Sequence, residues 1–212
     1  MPLHKIIDHN PDTQILVWKI TETFEELSQG MPLKEKSAVR LSGMKSELHQ
    51  RAFLSVRKLL QQAGYSDFDL HYDAFGKPYF EDGRHISISH SHEFSTIILS
   101  NRNTGIDLEM QREKIKVIAH KFAEAESDFL EPEATDYIQK LTVIWGAKEA
   151  IFKIRNETGI SFKDHIKVAA FDIGQKQTTA MLNFQQKHIA FDIFFDEVEN
   201  FTLVYAFEKQ SV

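Results

Sequence analysis

The chain has 212 residues, 42% hydrophobic and 26% charged, with a formal net charge of -6. That size and balance allow one large domain or two small ones with a packed core, and they exclude the low-hydrophobicity, high-charge composition of disorder. The absence of cysteine excludes disulfides, thiolate metal sites and a cysteine nucleophile, and the negative balance argues against a nucleic-acid partner. The N-terminus lacks an apolar core of signal-peptide length and no run of 18 apolar residues occurs, so a cytoplasmic protein with no membrane partner is expected.

In chain order, QILVWKI (14–20) predicts a strand, followed by a short helix over 22–29 and a longer one over 43–63. In the longer segment Leu48, Phe53, Val56, Leu59 and Leu60 recur at helical spacing, and Gly64 supplies the stop. The stretch DAFGKPYFEDGRH is broken at Gly76, Pro78 and Gly83, after which HISISHS and FSTIILS alternate as strands. The second half opens with the strand GIDLE, continues through helices over 113–122, 124–131 and 133–155, and ends in IKVAAFDI, TTAMLNF, HIAFDIFF and FTLVYAF. Those last runs show the period-two pattern of an antiparallel sheet with one buried face. The expectation is an α+β protein of two comparable lobes, residues 1–103 and 104–212, with the boundary at NRNTG.

Three short stretches carry chemistry. On a strand, Asp107 and Glu109 project to one face while Ile106 and Leu108 enter the core, so the two acids are either a solvated strand face or part of a hard divalent-cation site. In VIWGAKEAIFKI, Trp145, Glu149 and Lys153 stand four apart and form one helical stripe; the Glu–Lys spacing alone needs no function. Trp145 at the head of that stripe faces protein, and Gly146 inside a helix costs about 1 kcal/mol relative to Ala, which implies a close approach to the backbone there. In GKPYF and SISHS, Gly76 and Pro78 present Lys77 on a stiff turn, and Ser89, His90 and Ser91 offer donors at a strand end, a set suited to phosphate. His90 and His92, two apart, are also open to a reading as zinc ligands, though no third ligand stands at a suggestive spacing.

The order of these stretches, G-K-P, I-S-H-S, G-I-D-L-E and W-x-x-K-E-A-x-x-K, resembles that of the 4′-phosphopantetheinyl transferases, in particular the two-lobed surfactin-synthetase-activating type, from about residue 40 to 155. The resemblance implies the fold of that family, two similar lobes in pseudo-twofold arrangement, in a monomer. It implies Asp107, Glu109 and Glu149 as Mg²⁺ ligands and Lys153 as a catalytic contact to the phosphates of coenzyme A; Glu149 is also the candidate base, acting directly or through a metal-bound water. It further implies His90, with Ser89, at the 3′-phosphate, Lys77 and Pro78 along the nucleotide, and Arg51 and Arg57 of RAFLSVR as additional nucleotide contacts. HKFAEAESDFL fits the family's following segment through Phe122, Glu126 and Leu130. Ile86 and Ser87 stand where the family usually has F-N, and Gly146 where it often has Ser or Cys.

The implied reaction moves the phosphopantetheine arm of coenzyme A to a serine of an acyl or peptidyl carrier protein and releases 3′,5′-ADP, with the ligand lying across the boundary between lobes. The basic window Arg112, Lys114, Lys116 and Lys121 reads either as a solvated helix face or as a docking site for an acidic carrier. Two other readings stay open from the residues alone: a different metal-dependent phosphoester enzyme using the same acids, and a binding module in which they are surface groups.

Overall fold

The structure of the protein, a computed structural model, describes residues 3–209. It is a mixed α+β chain that divides into two compact units, Met1–Arg102 and Asn103–Val212. The first unit holds β1 (Leu3–Asn10), β2 (Thr13–Lys19), α1 (Phe24–Ser28), α2 (Glu35–Ser42), α3 (Glu47–Gln62), β3 (His71–Tyr72), β4 (Pro78–Tyr79), β5 (His85–Ser91) and β6 (Phe94–Ser100). Its main sheet is antiparallel in the order β1-β2-β6-β5, and β3 and β4 pair as a small hairpin.

The apolar stripe of α3 buries Phe53, Val56, Leu59 and Leu60 against Leu16 and Trp18 of β2 and Ile97 and Leu99 of β6. Leu48, one of the expected core positions, is instead exposed in the first turn. Gly64 adopts a φ of +83°, a left-handed conformation that glycine takes without steric cost, and ends the helical segment as expected. The helix begins at Glu47 rather than near residue 43, and β1 and α2 lie outside the elements expected from the sequence.

Arg57 is not exposed to a ligand. It is 3% exposed, donates from Nε to Asp67 Oδ1 at 2.9 Å, and lays its guanidinium over the Phe53 ring at 3.5 Å. Asp67 also accepts from the Lys34 backbone N–H at 3.0 Å and the Ser37 hydroxyl at 3.0 Å. The pair therefore ties α3 to the chain before α2, and the expectation of Arg57 as a nucleotide contact is corrected to a structural role. Removing one partner of such a pair strands a buried charge, so Arg57→Ala is expected to cost about 3–5 kcal/mol, read as a fall in the urea midpoint.

The second unit holds β7 (Thr104–Met110), α4 (Lys114–Ile118), α5 (Tyr137–Arg155), α6 (Phe162–His165), β8 (Ile166–Val168), β9 (Gln177–Phe184), β10 (Lys187–Val198) and β11 (Phe201–Glu208). Short 3₁₀ turns at Ala119–Lys121 and Glu124–Phe129 replace the helices expected over 113–122 and 124–131, apart from the five residues of α4. The sheet is antiparallel in the order β7-β11-β10-β9-β8. The strand expected over 166–173 stops at Val168, because Asp172 caps a 3₁₀ turn that ends with Lys176 in the left-handed region.

Helix α5 is apolar around most of its circumference and buries Leu141, Ile144, Ala147, Ile151 and Ile154 against Phe191, Ile193, Val204 and Ala206 of the sheet. Among the described residues, no helix is long and apolar enough to cross a membrane.

Candidate functional site

Directly opposed residues of neighbouring strands point to the same sheet face. Asp107 is opposite Val204 and Gly105 opposite Ala206, both of which pack under α5. The face carrying Gly105, Asp107 and Glu109 is therefore the face that α5 covers, and Asp107 is buried rather than solvated.

Two glycines allow this contact. A Cβ on Gly105 would stand 2.0 Å from the Ala150 carbonyl oxygen, and one on Gly146 would stand 2.7 Å from Val204 Cγ2 and 3.7 Å from Asp107 Oδ2. The close approach implied by a glycine within the helix is thus to β11 and to the Asp107 carboxylate. With α5 seated so closely, Lys153 reaches β7 and donates to Asp107 Oδ1 at 2.8 Å and to the Ile106 carbonyl at 2.7 Å. Glu149, one turn earlier, has its carboxyl pushed up to about 7, chiefly by burial, then by the negative charge of Asp107, with Lys153 pulling it down and Glu109 adding to the rise. Four groups named from the sequence, Asp107, Glu109, Glu149 and Lys153, therefore share one electrostatic neighbourhood between β7 and α5.

Three carboxylates in that neighbourhood are the hard oxygen donors a divalent cation of the Mg²⁺ class takes. The donor chemistry fits, and the repulsion that raises Glu149 is the kind a cation relieves. The side chains are not arranged as a finished shell: among the described residues, no three His, Asp or Glu groups are disposed to hold a metal ion, and Lys153 engages Asp107.

Residues 103–206 match the family model described as the 4′-phosphopantetheinyl transferase superfamily. Through this segment, just under half of the chain, the protein is similar to that superfamily. The chain is also similar to the 4′-phosphopantetheinyl transferase gsp of Aneurinibacillus migulanus, 30% identical over 115 residues, covering 53% of this chain and 46% of that protein. It thus matches about half the length of that curated relative.

Within the superfamily segment a groove opens beside Glu109. Arg112 and Lys114 give it a basic edge, and Met110, Ile115, Ile118 and Trp145 give it an apolar floor. Trp145 is held edge-on by Phe122 at 5.1 Å and Phe162 at 5.5 Å between ring centroids, so it faces protein as expected. The basic window divides: Arg112 and Lys114 line the groove, whereas Lys116 is paired with Glu113 at 2.9 Å and rests near the Tyr137 ring, and Lys121 is exposed in the 3₁₀ turn. The apolar floor was not legible in the sequence as a binding surface, since Met110, Ile115 and Ile118 read equally as ordinary core.

The remaining expected residues lie in the first unit. Lys77 sits on a loop closed by Asp73, whose carboxylate accepts from the Phe75 and Lys77 backbone N–H groups, with Gly76 at a φ of +84°. Pro78 opens β4. Burial first, and the Lys77 ammonium second, lower the pKa of His85, which places that lysine near the start of β5. His85 itself was not among the expected site residues.

Ser89 is buried opposite Thr96, while His90 is exposed opposite Ser95. His92 lies beyond β5 in the turn with a φ of +51°, so it does not share a strand face with His90 and the zinc alternative loses its geometry. Arg51 is half-buried and donates to the Ile20 carbonyl at 3.3 Å.

Proposed function

We propose that the protein transfers the 4′-phosphopantetheine arm of coenzyme A to a serine of an acidic apo carrier protein in the cytoplasm, releasing 3′,5′-ADP. The observation that carries this reading is the gathering of Asp107, Glu109, Glu149 and Lys153 between β7 and α5 within the segment that matches the superfamily. In the reaction the serine Oγ–phosphorus bond forms, the phosphorus–oxygen bond to 3′,5′-ADP breaks, and the serine proton goes to a base. Positioning and charge neutralisation make up most of the catalysis in such transfers.

Asp107, Glu109 and Glu149 would hold Mg²⁺, which when bound neutralises phosphate charge. Lys153 exchanges its Asp107 carboxylate for a phosphate oxygen of coenzyme A in this reading. Glu149, one turn earlier on α5, is the base in this reading. In the first unit, Ser89 and His90 take the 3′-phosphate and Lys77 and Pro78 follow the nucleotide. Arg51 remains a candidate contact, and Arg57 does not. All the proposed cation ligands come from one chain, as suits a monomer.

The basic-edged, apolar-floored groove beside Glu109 is the carrier's landing surface in this reading. Charge complementarity acts mainly on encounter, so Arg112→Glu combined with Lys114→Glu is expected to raise the carrier KM by about tenfold and to flatten its salt dependence. Reversal of Lys116 is expected to do less, since it is already paired with Glu113. The reading is tested by release of 3′,5′-ADP, followed by chromatography, when the protein is mixed with coenzyme A, Mg²⁺ and apo carrier proteins. Release that requires both carrier and cation supports it; coenzyme A left intact with every carrier overturns it.

A further inference from the structure

Resting on the transfer reading, we propose that Glu126 and Lys148 are a positioning pair for the acceptor side of the reaction. They hold the segments that seat Trp145 in the floor of the groove beside Glu109, and so set how the carrier is placed. The two side chains are fully buried and 3.0 Å apart. Lys148 Nζ also donates to the carbonyls of Phe122 and Phe162, the latter at 3.0 Å. Glu126 Oε2 accepts from Lys148 Nζ at 3.0 Å, and Oε1 accepts from the Val168 backbone N–H at 2.8 Å. One ammonium and one carboxylate thereby tie together α5, the segment after α4, the start of α6 and β8.

The same two residues whose carbonyls take Lys148 supply the rings that hold Trp145 edge-on. Trp145 lines the groove with Glu109, Ile115 and Ile118. The backbone positions that Lys148 fixes are therefore those that shape the slot for Trp145, and through it the floor of the groove.

Stability alone does not explain the pair. A buried ion pair contributes little net stability relative to apolar side chains of the same shape, because desolvation offsets the attraction. Burial accordingly lowers the pKa of Lys148, and Glu126 opposes that shift. What the charged pair adds is direction, since an ammonium with three acceptors has one good geometry. Its effect falls on the groove floor rather than on the cation ligands. Helix α5 is seated on β7 and β11 separately, through the close contacts at Gly105 and Gly146.

The test is the double variant Lys148→Met with Glu126→Leu in the full chain. It is expected to fold, to raise the apo-carrier KM by about tenfold or more, as loss of a supporting contact does, and to leave the coenzyme A KM within about twofold. In a Trp18→Phe background the fluorescence of Trp145 should move to longer wavelength in the double variant, a readout that needs no turnover. If the double variant does not fold, Glu126→Gln, which keeps the shape and removes the charge, should move both readouts in the same directions by less. An unchanged carrier KM with unchanged Trp145 emission overturns the proposal, as does an equal rise in both KM values. Absence of transfer by the unsubstituted chain counts against the transfer reading instead, and the Trp145 emission then still decides whether the pair positions the groove floor.

Discussion

Glu149→Gln is expected to make the cation-free protein more stable and to lower transfer by about a thousandfold, the scale of losing a group that stabilises charge in the transition state. The stability half follows from linkage. The folded protein holds the Glu149 proton to about pH 7, against 4.5 for the unperturbed group, because burial and the charges of Asp107 and Glu109 oppose ionisation. Between those values the folded state binds more protons than the unfolded one, so stability falls as pH rises through the window and stays low above it. At 1.36 kcal/mol per unit the cost is on the order of 3 kcal/mol at pH 8.

Gln cannot ionise, so the variant recovers that cost at pH 8 and shows no gain as the pH approaches 4.5. Urea unfolding in chelator at the two ends of the window checks the sign. A stability unchanged at pH 8, or lost along with activity, would mean that Glu149 is a structural residue and not one of a crowded set of acids.

Gly105→Ala is expected to be the most damaging single-atom change in the second unit. Its new Cβ would lie 2.0, 2.8 and 3.1 Å from the carbonyl oxygen, carbonyl carbon and Cα of Ala150. All three are helix backbone, so no side chain can rotate away and β7 and α5 must separate. Overpacking of this kind costs about 3 kcal/mol or more, which for a unit of this size is a fall of about 12 °C or more in Tm. The same separation draws Asp107, two residues on, away from Lys153, so the surviving folded fraction should lose transfer as well. A Tm within a few degrees of the unsubstituted protein would show that α5 is less closely seated than these distances require.

The candidate site in the second unit was legible as a cluster because two periodicities meet there. Asp107 and Glu109 share a face by the period of a strand, Trp145, Glu149 and Lys153 share a stripe by the period of a helix, and Gly146 marked the contact between them. What the sequence could not supply was which face of β7 would be covered. Asp107 reads as solvated until α5 lies over it, and only cross-strand pairing with Val204 settles that.

Arg57 shows the opposite failure. Its helical position gave no sign of Asp67, ten residues away in a loop, so a buried structural cation looked like a surface one. Lys148 falls four residues after Ile144 and seven after Leu141, on the buried side of α5. A lysine on an apolar stripe demands a partner, although nothing local names Glu126, 22 positions earlier.

The missed elements have simpler causes. In β1, alternating partly buried and exposed residues include His4, Asp8 and His9, so its apolar signal is weak, and it is a strand because it pairs along β2. In α2 only Ser37 and Leu41 are buried, too few to show a helical period.

Transfer of the phosphopantetheine arm is read from the intact mass of an apo carrier protein. After incubation with this protein, coenzyme A and Mg²⁺, the carrier is expected to be heavier by one phosphopantetheine arm, with the gain lost when the carrier's serine is replaced by alanine, when Mg²⁺ is chelated, or when Asp107→Asn is used. A carrier mass unchanged across fatty-acid, polyketide and peptide carriers, with the protein folded and the cation present, would contradict it.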